Sequence, residues 1–405
     1  MYNERSVVLP ASTEEASAVL GEAAGRGVTV VPRGAGLGWH PLDGDVIVDM
    51  GRMDQVTEHA AGDLVARIQA GATMGHVARV LAEAGQRLAL DVPGGVTVGG
   101  MIATGLAGPL RFRYGSPRDL LIGITVVRPD GVVAHSGGKV VKNVAGYDLG
   151  KLFAGSHGTL GLITEATFRL HPLPQAVAYL TARAARDDLA AAVIAAANSP
   201  LQPSAVELGP DGIVCVLLEG TASGVEERVK RMAELLGSAE VSPVPPSWWG
   251  KLPDPVGTVV RVTFWLARLG DVLGAIASAG VPCEVGGSAG AGVLYVCLDS
   301  GADVSPLVSA VRAAVGDRGS VVVLTEPPRF DHPLMRAVRD QFDPGHRMGG
   351  TGLCRSRTRC ERWRTTACTA ASACPHARPT SCGVRRWTRR AAGFTWSASS
   401  WTVRS

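Results

Sequence analysis

Glycine is unevenly spread along this chain, and three of its clusters carry residues able to do chemistry. The first is Arg33-Gly34-Ala35-Gly36-Leu37-Gly38, at the end of an apolar run. The second is Pro93-Gly94-Gly95-Val96-Thr97-Val98-Gly99-Gly100, continuing through Thr104-Gly105. The third, KNVAGYDLGKLFAGSHGTLG at 142–161, holds five glycines, two of them flanking Ser156-His157. Bare N–H groups in a tight glycine turn form a concavity for phosphate oxygens, and an adjoining arginine adds charge-assisted bonds. One such loop alone is as often an ordinary turn. The first also lacks the G-x-G-x-x-G spacing and the acidic residue that follow in a nicotinamide-binding unit. Three clusters within about 130 residues argue against three accidental turns and for something bulky lying close against bare main chain, where a Cβ would collide.

The elements that must position these loops can be read from periodicity. Ser12-x-x-Glu15 is a capping box, and Ala16, Val19, Leu20 and Ala23 follow at helical spacing. Strands are expected over 28–31, 46–50, 64–70 and 161–170, with a helix over 74–84. Pro129-Asp130-Gly131 joins strands over 122–127 and 132–135 as a hairpin. Beyond Pro172-Leu173-Pro174, strands over 213–218, 259–264, 293–298 and 320–324 alternate with helices over 225–236, 271–279 and 305–315. This alternation predicts antiparallel sheet with helices on one face. A last helix is expected over 333–342, and no internal repeat is visible.

Composition narrows the function classes. The 405 residues, 46% hydrophobic and 19% charged, suit two or three globular domains. No run of about 18 apolar residues predicts a membrane span, and the start MYNERSVVLP does not read as a secretory signal. The net charge of +4 is set by the end of the chain, where eleven Arg, no Lys and one Glu follow from Arg355 onward. The remainder is therefore acidic, which removes the support for a nucleic-acid partner. Cys215, Cys283 and Cys297 are scattered in apolar context and read as core residues of a reducing compartment.

Together the three loops resemble the FAD domain of the vanillyl-alcohol oxidase, or PCMH-type, flavoproteins. The likeness covers residues 5–175 and the helix near 330–348. It implies an α+β chain: a PCMH-type two-subdomain FAD-binding domain at 1–175, an antiparallel-sheet cap domain at 176–326, and a C-terminal helix at 327–348 returning to the first domain. By the same resemblance Arg33, Gly34, Ala35, Gly36, Leu37 and Gly38 would take the diphosphate. Pro93, Thr97, Val98, Gly99 and Gly100 would lie along diphosphate and flavin, with Tyr114, Gly115, Ser116 and Asp119 continuing that wall. Gly155, Ser156, Gly158, Thr159, Gly161 and Ile163 would hold the ribityl and adenine side. Leu37 stands where some members carry a flavin-linking histidine, so non-covalent FAD is expected, and His40 reads as an exposed loop residue.

GGKVVKNVAGYDLGKLFAGSHGTLGLITE, GGMIATGLAGPLRFRYGSPRDLLIG and FDHPLMRAVRDQFDPGHRM are similar to the FAD-binding subunit of bacterial glycolate oxidase. That likeness implies Lys142 and Asn143 in the flavin cavity, a second flavin subunit and an iron–sulfur subunit as partners, and a small hydroxy acid as substrate. It also implies a cytoplasmic location, with membrane contact only through partners. Related catalytic subunits resemble one another in a cap-domain histidine cluster, yet no histidine occurs here between His171 and His332. Oxidising a hydroxy acid needs a base for the hydroxyl and a cation for the carboxylate. The chain is thus expected to depend on a partner for the substrate chemistry, and no catalytic residue is assigned. The rival readings are a self-sufficient D-lactate-type dehydrogenase and a non-catalytic assembly subunit.

The last segment has a different character. Cys354, Cys360, Cys368, Cys374 and Cys382 lack the C-x2-C spacing of a metal site, so no metal is expected. TACTAASACPHA, residues 366–377, admits synonymous codons that read one base earlier as DCVHCGFCLPAC. This is the C-x2-C-x2-C-x3-C run of bacterial ferredoxins, in a context resembling the start of an iron–sulfur subunit. Residues 349–405 are therefore expected to be an out-of-frame, disordered tail, a reading that the underlying DNA tests.

Overall fold

Parallel strands need a crossover between them, and the first elements supply one. A computed structural model of the chain describes residues 6–37, 44–138, 148–251, 257–325, 331–348, 389–390 and 402–403. Strands β1 (Ser6–Val8), β2 (Val30–Arg33) and β3 (Val46–Asp49) form a parallel sheet in the order β1-β3-β2, and helix α1 (Thr13–Arg26) crosses between the first two. Ser12 Oγ accepts the Glu15 N–H, while the Glu15 carboxylate reaches back one residue further, to the N–H of Ala11. Gly27 ends the helix with a left-handed φ of 65°.

The second subdomain is an antiparallel sheet. Its strands β4 (Val56–Ala60), β5 (Val65–Gln69), β7 (Leu121–Val127), β8 (Val133–Gly137) and β9 (Leu162–Arg169) run in the order β8-β7-β9-β5-β4. The hairpin between β7 and β8 turns at Gly131, whose N–H donates to Arg128 O. Helices α2 (Met74–Ala82), α3 (Val98–Thr104), α4 (Arg111–Tyr114) and α5 (Pro117–Leu120) lie in its connections, and the short strands β6 (Gln86–Arg87) and β10 (His171–Pro172) pair with each other. One core holds both subdomains together, with Leu20, Ile68, Leu81, Met101, Ile102, Phe153 and Phe168 fully buried.

The cap corrects the expectation that the chain has no internal repeat. Its first half is β11 (Ala176–Arg183), α6 (Leu189–Ala197), β12 (Ala205–Leu208), β13 (Ile213–Gly220), α7 (Ala222–Leu235) and β14 (Glu240–Ser242). Its second half is β15 (Thr258–Thr263), α8 (Leu269–Ser278), β16 (Cys283–Gly286), β17 (Val293–Leu298), α9 (Ser305–Val315) and β18 (Ser320–Val323). Both are βαββαβ units, the split-βαβ arrangement, and both sheets have the same order, β12-β13-β11-β14 and β16-β17-β15-β18. The equivalent edge strands β12 and β16 meet through paired bonds between Leu208 and Gly287, 2.8 Å each way. The repeat leaves only a faint trace in sequence because it is one of topology and pattern.

The four cap helices form a single layer, α7 beside α6, α6 beside α8 and α8 beside α9, over a shared apolar core. The opposite sheet face turns toward the first domain, and Ala205 and Leu217 join that domain's core. Helix α10 (Pro333–Phe342) then brings the chain back: Phe342 packs edge-on against Phe153 at 5.7 Å. Asp343 accepts the N–H groups of Arg347 and Met348, and the Arg347 carbonyl accepts the N–H of Val30 on β2. Of the segment after 348, only the two-residue strands Arg389–Arg390 and Thr402–Val403 are described, so the disorder expected there falls outside the described residues. Among the described residues no helix is long and apolar enough to cross a membrane, and no cluster of three or more metal-ligating side chains occurs.

Candidate cofactor cradle and interdomain cleft

The three glycine segments converge. A Cβ on Gly34 would lie 2.2 Å from Thr97 Oγ1, and one on Gly95 would lie 3.5 Å from Leu37, so the first and second segments touch. A Cβ on Gly158 would lie 3.2 Å from Pro32, which joins the third segment to the first. The third also grips the end of α3, with Gly155 N–H donating to Ile102 O at 2.9 Å and His157 N–H to Ala103 O at 2.7 Å. His157 is held at φ 52°, between Gly155 at 81° and Gly158 at 73°. Three left-handed residues within four positions, one of them not glycine, make a strained turn of the kind that clusters at binding sites.

At this junction several features suit a large bound cofactor. Gly36 and Gly155 have positive φ, and a Cβ on either would meet no protein atom within 4 Å, so their backbone borders open space. Ser156 is 4% exposed, and its Oγ has no hydrogen-bond partner. A buried hydroxyl without a partner costs free energy unless something else satisfies it. Leu37, 61% exposed, offers apolar surface at the rim. Bare main chain, an orphaned donor and an exposed apolar side chain fit the diphosphate and ring of FAD.

Other expected contacts have duties within the fold. Arg33 gives its guanidinium to Asp49, at 2.9 Å from Nε and 2.7 Å from Nη2, rather than leaving it open to the loop. Thr97 caps α3 by accepting the Gly100 N–H, Val98 is fully buried in the core, and Gly99 is pressed against Ala70. Asp119 caps α5, accepting from Ser116 N–H at 2.7 Å and Ser116 Oγ at 2.8 Å, and a Cβ on Gly115 would strike it. Thr159 Oγ1 donates to Ser156 O, a Cβ on Gly161 would meet Val127 O, and Ile163 is buried in β9. Ala35 lies exposed beside Gly36, and Pro93 lines the cleft described next. Gly38, His40, Lys142 and Asn143 lie outside the described residues.

The cleft between the domains was not anticipated from sequence. A cavity of about 460 Å³ is lined by Arg87, Asp91 and Pro93 on one side and Tyr179, Glu219 and Trp249 on the other. Arg87 and Glu219 form a bidentate pair at 2.7 and 2.9 Å, and the Tyr114 hydroxyl joins both. Burial opposes charge on each partner, yet their mutual bonds hold Arg87 above and Glu219 below its ordinary value. Tyr114 thus serves the domain boundary, where its ring stacks edge-on against His171 at 4.6 Å. Burial and the nearby arginines depress His171. Asp91 accepts the Leu110 N–H at 2.9 Å, and burial raises its carboxyl to about 6.

An adjoining cavity of about 290 Å³ lies where the cap repeats meet and is lined by Arg111, Glu207, Ser288, Glu284 and Tyr295. Gly250 and Lys251 line both cavities. Glu207 accepts the Ser288 hydroxyl, and complete burial raises its carboxyl to about 8. The available signal was a glutamate in each of two apolar strands, Glu207 in SAVELG and Glu219 in VCVLLEG, because a charge in such a strand must find a buried partner.

Comparison with known proteins agrees with the cradle. Residues 5–137 match the family model described as FAD binding domain. The chain is 35% identical over 237 residues to the mitochondrial D-lactate dehydrogenase [cytochrome] of Arabidopsis thaliana, covering 57% of this chain and 42% of that protein. It is 35% identical over 196 residues to glycolate oxidase subunit GlcD of Bacillus subtilis (strain 168), covering 47% and 42%. The match therefore spans less than half the length of either relative. A solved structure of alkyldihydroxyacetonephosphate synthase shares the fold at a TM-score of 0.63 and 20% identity, covering 84% of this chain and 75% of that one. Residues 5–137 thus match an FAD-binding domain in sequence, the chain shares the fold of that synthase, and FAD is the cofactor that the cradle fits.

Proposed function

We propose that this chain is the FAD-binding subunit of a complex that oxidises a small 2-hydroxy acid, with glycolate going to glyoxylate. The observation that carries the reading is the convergence of three glycine segments on one cradle, in a domain that packs against a cap. Bound FAD supplies the two-electron acceptor. The chain's own residues hold and shield it: main-chain N–H groups of the loops grip the diphosphate, Ser156 gains the partner it lacks, and Leu37 covers the rim. The Arg87–Glu219 pair pins the cap sheet over the site and so limits the access of water.

Electrons then leave through an iron–sulfur partner, beside a second flavin subunit, and any contact with the inner face of the membrane is made through those partners. The name of the Bacillus relative supports glycolate, and that of the Arabidopsis relative supports D-lactate in a self-sufficient enzyme with equal identity. Anaerobic mixing of the FAD-loaded chain with glycolate or D-lactate, alone and with the co-expressed partners, separates these readings. Bleaching of the flavin band by glycolate only when partners are present is the expected result. Bleaching by D-lactate without partners establishes the second reading, and a chain that takes up no FAD is an assembly subunit.

A further inference from the structure

Two basic groups line the 290 Å³ cavity, and a third lies beside one of its lining residues. Arg111 lines it, held to the wall through its bonds to the carbonyls of Ala107 and Gly108. Arg261 on β15 is the cross-strand neighbour of the cavity-lining Tyr295, so the two side chains share a sheet face. Its Nε is buried without a hydrogen-bond partner. Neither arginine has a carboxylate partner among the described residues. Burial lowers the pKa of Arg261, Tyr295 opposes that, and the repulsion of Arg111 adds to it. Lys251 adds a third cation at the opening shared with the neighbouring cavity.

The acids present do not cancel this charge. Glu207 and Glu284 occupy matching places in the two repeats, opposite Cys215 and Cys297 respectively. Glu284 is exposed and carries one negative charge. Glu207 is buried, and burial raises its carboxyl to about 8, which favours the neutral form. With one oxygen accepting from Ser288, its protonated oxygen is a donor to the cavity. A buried guanidinium nitrogen without a partner, as at Arg261 Nε, is costly, and an anion that enters removes that cost.

We infer that this cavity, between the cap repeats and the segment after α3, is a binding site for a small carboxylate, gripped by Arg261 and Arg111 and by hydrogen bonds from Glu207 and Ser288. A planar carboxylate matches the guanidinium fork, and the cavity volume limits it to a small molecule. The choice of a hydroxy-acid carboxylate rests on the proposed function, whereas the demand for an anion comes from the charges alone. The groups facing Glu207 are Arg111, Asp91 and Cys215, with Lys251, Glu284 and Tyr295 across the cavity. Above pH 8 an ionised Glu207 repels the ligand.

Isothermal titration of the full FAD-loaded chain with glycolate, D-lactate and oxalate, and with inorganic phosphate as the contrasting anion, tests this. Saturable carboxylate binding at pH 7 is expected, at least 10-fold weaker at pH 9. Arg261→Met should weaken it at least 10-fold at pH 7, with thermal melts confirming a folded variant. Glu207→Gln keeps a neutral donor and should bind almost equally at both pH values. No saturable carboxylate heat in the wild type, unchanged binding in folded Arg261→Met, or a Glu207→Gln variant with the wild-type pH dependence overturns the site. Phosphate binding as tight as the carboxylates overturns the ligand assignment. Flavin bleaching by hydroxy acid without this binding removes the site and leaves the proposed function standing. Binding without bleaching, even with partners, does the reverse.

Discussion

The cofactor cradle and the cap are built by different means. On the cofactor side the groups that matter are main-chain amides and unsubstituted α-carbons, brought together where Gly34, Thr97, Gly155 and Gly158 interlock. On the cap side they are side chains, Glu207, Glu219, Arg261 and Tyr295, carried on regular strands at fixed register. Main chain is the same in every residue, so the cradle depends on shape and tolerates few added atoms. The cap depends on charge balance across a buried sheet face, so its weak points are lost partners rather than added bulk.

That contrast can be broken from either side. The largest effect is expected for Gly34→Val, whose side chain enters the space of Thr97. The variant should lose FAD on gel filtration while the cap keeps its circular dichroism, and full flavin retention would show that the loops have no shared role. Arg87→Met strands Glu219, whose side chain is only 4% exposed, and should destabilise the protein by about 3–5 kcal/mol. Adding Glu219→Leu should recover most of that in a melting experiment, whereas additive losses would deny the coupling.

Glu207 sharpens the comparison through pH. Its carboxyl lies near 8 in the folded chain against an ordinary 4.5, so the native state binds the extra proton between those values. Stability is therefore full below about 4.5 and declines as pH rises toward 8. Relative to Glu207→Gln, the wild type should lose about 1.4 kcal/mol per pH unit in that window, and parallel denaturation midpoints would reject the assignment. Smallest is Ser156→Ala, which removes an unpartnered hydroxyl. It should raise the melting temperature of the FAD-free chain and weaken FAD binding by roughly 1 kcal/mol. A loss of stability with unchanged FAD binding would make Ser156 structural.

The same contrast explains what could be read in advance. The glycine segments are conspicuous because glycine is irreplaceable at positive φ, as at Gly36 and Gly155. Helices with clear periodicity, such as α9 and α10, stand where their patterns predict them. By contrast α6, LAAAVIAAA, is apolar on every side and offers no period, and β12 and β16 have only four residues each. These elements complete the repeats, so the repeat was missed with them. The reassigned duties of Arg33 and Asp119 also lay beyond sequence reasoning, because each depends on a partner that only local geometry brings within reach. The Arg87–Glu219 pair, 132 residues apart in the chain, is the extreme case.

The carbonyl of Arg347 receives the amide of Val30, and Asp343 stiffens the turn that presents it. During synthesis the cofactor region therefore cannot finish assembling when its own last strand leaves the ribosome. It must wait for the whole cap and then for the residues just before 348. Premature termination anywhere in the cap therefore leaves the earlier domain without its final clasp.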